Sequence, residues 1–249
     1  MLLKPQSLKN LLQIEDWYRK VLALEPNNVG AMVGLARSLT FQAFNFARQL
    51  APDEREKRFS EGQEVVRKAR ELDPENTSIY NVIALYAATH DDFAGYRRAS
   101  ETWLRLEPKN PIAYNYVAAT LIQSGEPQAA IDLLTRGIDL DAKHPSPLLL
   151  VGMTRAQFTL GDHDATIEWA QRALDANRQF TDSYAYLAMA YALKGDEVKA
   201  RATVADLARG DPNFRLTEFK KPQPSWPAAY KAWFDGKYLP AARKAGLPE

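Results

Sequence analysis

The chain contains no cysteine in 249 residues. That removes disulfides, thiolate nucleophiles and sulfur metal sites together, and it is compatible with a reducing compartment. Histidine is scarce: His90, His144 and His163 are all there is. Each is expected in a turn, with no second histidine or carboxylate at helical i+3 or i+4 spacing, so neither a metal site nor any other cofactor is expected. Asp162 and Asp164 flank His163, but neighbours in a turn do not converge on one ion. Charge of one sign is also missing. The 32 basic and 31 acidic residues leave a net charge of +1, and they alternate along the chain, so the basic patch that nucleic acid or anionic lipid requires is absent. No apolar run approaches the ~18 residues of a membrane span, and none of signal-peptide length precedes Lys9. A soluble, cytoplasmic chain without membrane insertion is expected. A glycine-rich phosphate loop and a G-x-S-x-G elbow are both lacking, and Ser38, Ser100 and Ser124 have no placed base. No enzymatic activity is expected.

What the sequence does have is a period. Leucine, one residue, leucine or aspartate, then proline with asparagine nearby recurs at Leu24 to Asn27, Leu72 to Asn76 and Leu106 to Asn110, with degenerate copies at Leu140 to His144 and Gly210 to Asn213. Pro74 to Pro108 is 34 residues, and Pro108 to Ala142, the aligned position of the degenerate copy, is 34 again. Pro26 to Pro74 is 48, which leaves about 14 extra residues in one repeat. Within a period, two helical patterns flank a polar turn, as at Gln123 to Pro127, Leu160 to Asp164 and Lys194 to Glu197. Gly125, Gly161 and Gly195 fall at equivalent places in those turns, where a residue free to take positive φ can end the first helix. The second helix then runs into a proline it cannot absorb. Each unit is a helix hairpin.

These residues resemble the tetratricopeptide family. Tyr184, Leu187, Ala188, Tyr191, Gly195, Ala200, Val204, Leu207 and Pro212 fall on its alternation of large and small positions, as do Tyr114, Val117, Ala118, Leu121, Gly125, Ala130, Leu134 and Gly137. The resemblance implies an all-α, right-handed α-solenoid of antiparallel helix hairpins, forming an open arc with a C-terminal helical cap. The expected organisation is a solenoid over 1–214: a half repeat at 7–26, then full repeats at 29–76, 77–110, 111–144, 145–180 and 181–214. In the half repeat, Ile14, Tyr18 and Val21 take the core positions of a second helix.

Two segments depart from the period. From Thr40 to Arg58 an apolar, aromatic stretch gives way to a charged one. The competing expectations are two lengthened helices with Phe41, Phe44 and Phe46 packed together, and a protruding contact element. From 215 to 249 Pro222, Pro224 and Pro227 punctuate a run carrying Trp226, Tyr230, Trp233, Phe234 and Tyr238; it is expected to cover the last hairpin, with an aromatic ligand site as the alternative. The end, ARKAGLPE, is similar to the terminal (G)LRKAGLPE of many alphaproteobacterial signalling proteins. The start, KPQSLKN followed by VLALEPNNVGAMVGLARSL, is similar to the opening of their repeat regions. Those proteins join class III adenylate or guanylate cyclase domains, or winged-helix domains, to C-terminal repeats.

The family resemblance also implies where a ligand would lie, on the concave face formed by the first helices. The matching positions here are Val33, Arg37 and Phe41; Asn81 and Leu85; Asn115, Tyr116 and Gln123; Arg155 and Phe158; and Asp182, Tyr186 and Met189. Amides can pair with an extended backbone, the arginines can meet carboxylates, and the aromatics can hold apolar side chains. The clamp for a C-terminal carboxylate is not matched, since Asn115 is accompanied by Ala119 and Asn81 by Leu85. The expected function is a protein-interaction scaffold binding a peptide, a partner domain or a second copy. The alternative is a regulatory portion that packs on an upstream cyclase or winged-helix domain.

Overall fold

The computed structural model describes residues 7–45, 49–140, 142–216 and 224–248, with the side chains of residues 44 and 45 excepted. Its described residues form helices and turns, without a strand. The chain divides into two compact units, 1–107 and 108–249.

Unit one begins with α1 (Leu8–Leu24), followed by the hairpins α2 (Val29–Asn45) with α3 (Pro52–Leu72) and α4 (Thr77–Thr89) with α5 (Phe93–Leu106). Unit two holds three hairpins: α6 (Pro111–Gln123) with α7 (Pro127–Asp139), α8 (Pro147–Leu160) with α9 (His163–Ala176), and α10 (Thr181–Leu193) with α11 (Glu197–Gly210). After them come α12 (Ala228–Trp233), a π-helical turn (Phe234–Tyr238) and α13 (Leu239–Ala245).

The recurrent sequence phrase has a capping role. Asn28, Asn76 and Asn110 accept backbone N–H bonds from Ala31, Ser78 and Ile112 at 2.9, 3.2 and 2.9 Å, starting α2, α4 and α6. Each such cap is worth ~1 kcal/mol. Tyr80 and Tyr114, one period apart, each donate a hydroxyl to the proline carbonyl six residues earlier, at 2.7 and 2.9 Å. Asp92, Asp162 and Asp196 cap the second helices through the N–H groups of Gly95, Ala165 and Lys199. The turns between the two helices require left-handed backbone, with φ of 82°, 96° and 82° at Gly125, Gly161 and Gly195; the corresponding turn of the α4/α5 hairpin uses Asp91 at 56°.

The enlarged repeat is a pair of lengthened helices. α2 has 17 residues and α3 has 21, against 13 or 14 in the other hairpins. Phe41 is half-buried; the expected packing with Phe44 and Phe46 lies outside the described residues. α1 differs from expectation. Leu11 is buried, and Tyr18 lies flat over Gly34, where any side chain would collide with its ring. Ile14, expected in the core, is 42% exposed beside Trp17 at 59% and Leu24 at 85%. The other second helices pack against a first helix of their own hairpin; α1 has none among the described residues, and Ile14, Trp17 and Leu24 stay exposed.

A buried polar network fastens α1 instead. Glu15 accepts from Arg58 Nη1 at 2.8 Å and from Gln42 Nε2 at 3.0 Å, Gln42 Oε1 accepts from Arg58 at 2.5 Å, and Ser38 donates to the Leu11 carbonyl at 3.1 Å. Arg19 adds an ion pair to Glu61 at 2.6 Å. Gln42 and Ser38 are buried, so polar side chains alternate with Leu39 and Ala43 in the interior of α2.

Candidate functional site

Within each unit the first helices touch one another, α2 with α4, α6 with α8 and α8 with α10, while their second helices have no comparable mutual packing. Closer spacing on one side curves a stack toward that side, so the first helices form the inner face of each unit.

In unit one the residues assigned to this face from the sequence are Val33, Arg37 and Phe41 on α2, at the i, i+4, i+8 spacing that aligns side chains along a helix, with Asn81 and Leu85 on α4. Val33 is drawn into the core with Met32, Ala36, Val66, Ile79 and Val82, at 3% exposure. The other four are half-buried. Arg37 Nε is buried without a hydrogen-bond partner.

In unit two the expected residues meet a different setting. Asn115, Tyr116 and Gln123 on α6 and Arg155 on α8 are half-buried. Asn115 sits over Gly152, whose missing side chain leaves room for its amide, and accepts a long bond of 3.4 Å from Arg155 Nη2. Phe158, Tyr186 and Met189 are 4%, 2% and 0% exposed. They are not an open lining. The chain's own C-terminal segment lies over them.

That segment is amphipathic. Tyr230, Phe234 and Tyr238 at i, i+4 and i+8, followed by Ala241, Ala242, Ala245 and Leu247, are all buried. The π-helical turn inserts its extra residue between α12 and α13, and Gly246, at φ 77°, ends α13. Tyr238 lies 5.9 Å from Tyr186 and 6.4 Å from Phe158 between ring centroids, Trp233 lies 6.3 Å from Phe158, and Phe158 lies 5.2 Å from Tyr186. α13 packs on α10 and α11, and α12 touches α6, with Ala229 near Gly125. Leu216 N–H donates to the Pro248 carbonyl at 2.9 Å and pins the end. The segment was expected to cover the last hairpin. It does pack on α10 and α11, but it also reaches across the first helices to α6.

Burial sets the protonation of the tyrosines. It holds Tyr186 and Tyr238 well above the ordinary phenol value and pushes Tyr230 up to about 12; Arg155 opposes the rise at Tyr186 and Tyr230, and Asp182 adds to it at all three. All three stay neutral at physiological pH. Among the described residues of unit two, six buried side-chain atoms lack hydrogen-bond partners: Gln123 Oε1, Arg155 Nε, His163 Nδ1, Ser183 Oγ, Trp226 Nε1 and Tyr238 OH. His144 is exposed in a bend, as expected, whereas His90 and His163 are half-buried. His90 stacks on Tyr86 at 3.8 Å and meets the Phe59 edge at 4.1 Å. His163 lies near Phe158, and burial lowers its pKa. Among the described residues no three histidine, aspartate or glutamate side chains gather as a metal site, and no helix is long and apolar enough to cross a membrane. Aromatic faces, amides and an arginine are the chemistry on offer, and it suits binding.

Sequence reasoning named the segment's aromatics and put them on the last hairpin, but not their reach over Phe158 of α8 and on to α6. A signal was present: α10 reads TDSYAYLAMAYAL, with no polar face for water, and a helix apolar all round is covered on both sides. The Glu15, Gln42 and Arg58 network left no such trace.

No family model matches the chain, and no curated protein matches it. Solved structures do. The APC/C hetero-tetramer Cut9–Hcn1 is similar over 85% of this chain with a TM-score of 0.71 and 15% identity, and this chain spans 39% of that one. A thermophilic TPR protein of Thermus thermophilus is similar over 72% of this chain and 92% of its own, with a TM-score of 0.57 and 13% identity. YrrB, described as a TPR protein with an unusual peptide-binding site, is similar over 79% and 93% respectively, with a TM-score of 0.50 and 14% identity. At such identities the likeness establishes architecture: the chain has the all-α solenoid fold of tetratricopeptide-repeat proteins.

Proposed function

We propose that the chain is a non-enzymatic tetratricopeptide-repeat scaffold of the cytoplasm that holds a peptide or partner domain on the inner faces formed by its first helices. One observation carries the proposal: the first-helix face of unit two already packs a polypeptide segment, through Phe158, Tyr186 and Met189. A surface with that chemistry has affinity for aromatic side chains on a helical backbone. The corresponding face of unit one offers Arg37, Phe41 and Asn81 in half-buried positions, and Arg37 Nε awaits an acceptor. Asn115, Tyr116, Gln123 and Arg155 add a polar rim in unit two. A peptide-binding site in the similar fold of YrrB is in keeping with such a role.

A photo-activatable cross-linker at Phe41 should capture a protein partner in cells. The triple variant Arg37→Ala, Phe41→Ala, Asn81→Ala should lose that partner while keeping its helical circular dichroism. A partner list unchanged by the triple variant would reject these residues as the contact.

A second reading draws on α1. Trp17 and Leu24 are 59% and 85% exposed, a surface on which an upstream cyclase or winged-helix domain would pack. If the natural reading frame continues upstream of Met1 into such a domain, that reading stands; a stop codon and ribosome-binding site there would reject it.

A further inference from the structure

We infer that residues 224–248 are a tethered stand-in ligand on the first-helix face of unit two, and that an amphipathic, aromatic peptide with an acceptor for Arg155 displaces them. Resting on the interaction surfaces proposed above, this names both the ligand class and the element that controls access. Three observations carry it.

The mode of packing is that of a helix laid in a groove. Phe234 and Tyr238, one helical turn apart, pack with Phe158, Tyr186 and Met189, and Tyr230, a further turn back, is buried against Trp226 and Trp233, the i, i+4, i+8 reading by which grooves recognise amphipathic helices. The opposite side of the segment, with Asp235, Gly236, Lys237 and Lys244, is exposed. The segment therefore lies on the hairpins with no repeat helix over it, and α8/α9 and α10/α11 pack through contacts of their own.

The fit is also incomplete in its polar part. Gln123 Oε1 and Arg155 Nε on the groove, and Trp226 Nε1 and Tyr238 OH on the segment, are buried without partners. Desolvated groups left unpaired weaken an interface more than an apolar replacement would. The network under α1 is the contrast, because Gln42 there, fully buried, both donates and accepts. A peptide with the same aromatic anchors, a carboxylate or carbonyl aimed at Arg155 Nε and a donor for Gln123 Oε1 would bind better than the resident segment.

Finally, the resident segment is joined to the repeats by residues 217–223, so its local concentration is high. A modest intrinsic affinity suffices to keep the face closed, and a better-matched ligand can still win.

The test uses the whole protein with a protease recognition sequence placed within 217–223. After cleavage, a fluorescein-labelled synthetic peptide of residues 224–249 is added and followed by anisotropy, with circular dichroism recorded in parallel. The labelled peptide should exchange into the groove with no loss of helicity. A Tyr238→Phe peptide, which removes an unpartnered hydroxyl, should bind on the order of fivefold tighter than the wild-type peptide, and a Tyr238→Ala peptide more than ~10-fold weaker. Exchange that occurs only as helicity is lost would make the segment a fixed part of the core and overturn the inference. A Tyr238→Phe peptide no tighter than wild type would overturn the mismatch on which displacement depends. Either result leaves the cross-linking outcome at Phe41 untouched, so the two proposals fail separately.

Discussion

Replacing Glu15 with alanine should detach α1 from unit one and leave both hairpins folded. Three donors converge on this carboxylate: Arg58 at 2.8 Å, Arg19 at 2.9 Å and Gln42 at 3.0 Å. Neither buried partner is orphaned by the change, since Arg58 keeps Glu54 at 2.8 Å and Gln42 keeps Ser38 at 3.1 Å. The Arg19 side chain is 44% exposed, so its bond contributes a few tenths of a kcal/mol at ~0.3–0.5. Arg58 and Glu15 are 14% and 13% exposed, and that charge-assisted bond with the Gln42 bond brings the loss to about 2 kcal/mol. Because α1 packs chiefly on α2, the loss should appear as local opening. Hydrogen exchange measured by mass spectrometry should show amides of Leu8 to Leu24 exchanging about 30-fold faster, with α4 and α5 unchanged. Unchanged protection in α1, or a loss spread evenly over unit one, would refute the reasoning.

The same carboxylate gives a pH signature. Burial pushes the Glu15 pKa up, but hydrogen bonds from Gln42, Arg19 and Arg58 outweigh it and hold the group below its ordinary 4.5. A depressed folded-state value stabilises above the unfolded one, and that contribution disappears as pH falls through the folded value. Wild type and Glu15→Ala should therefore differ in α1 exchange at neutral pH and converge in acid, below the ordinary carboxylate range.

Tyr114→Phe removes the hydroxyl bond to the Pro108 carbonyl at a buried site and should cost ~1 kcal/mol, read as a fall of a few degrees in Tm; Tyr80→Phe, at a more exposed site, should cost less. Gly161→Ala meets open space, so only its φ of 96° is penalised, about 1 kcal/mol in denaturant titration. Gly152→Ala should cost more, about 2 kcal/mol, because its Cβ would lie 2.6 Å from Asn115 Oδ1 and 2.9 Å from Leu134 Cδ2; equal costs would contradict the packing. In alkaline ultraviolet titration, Tyr186, Tyr230 and Tyr238, three of eleven tyrosines, should resist ionisation while the fold persists. Their raised pKa values stabilise fully below the ordinary value of 10 and lose that contribution as pH climbs through the folded ones; titration of all eleven near 10 with helicity intact would contradict their burial.

The repeats were legible because their signals are local. An asparagine cap, a left-handed glycine and a proline stop act within a few residues, and together they mark where each helix of a hairpin begins and ends. Long-range pairings leave no comparable trace. Glu15 and Arg58 are 43 residues apart, and neither Gln42 nor Ser38 looks different in sequence from a polar residue facing water. The aromatic tail lies between these extremes. Its periodicity shows that Tyr230, Phe234 and Tyr238 share a face, but the end of the stack and the inner face are both apolar, and a pattern within the segment does not choose between them. That choice is made by the composition of the partner helices.

Composition also separates the two inner faces. α8 and α10 bury residues all round, from Leu149 to Thr154 and from Ala185 to Ala190, because the hairpins cover one side and residues 224–248 the other. α4 is written in the same style, TSIYNVIALYAAT, with no charged residue, yet Asn81, Leu85 and Ala88 remain half-buried and no described segment of unit one lies over them. An apolar helix held partly in water gains from any further cover at ~25 cal/mol per Å² of apolar surface removed. Unit two has met that demand within its own chain. In unit one no described segment of that unit covers Phe41 on α2 or Asn81 and Leu85 on α4, and under the function proposed above a partner there would gain contact without first displacing anything.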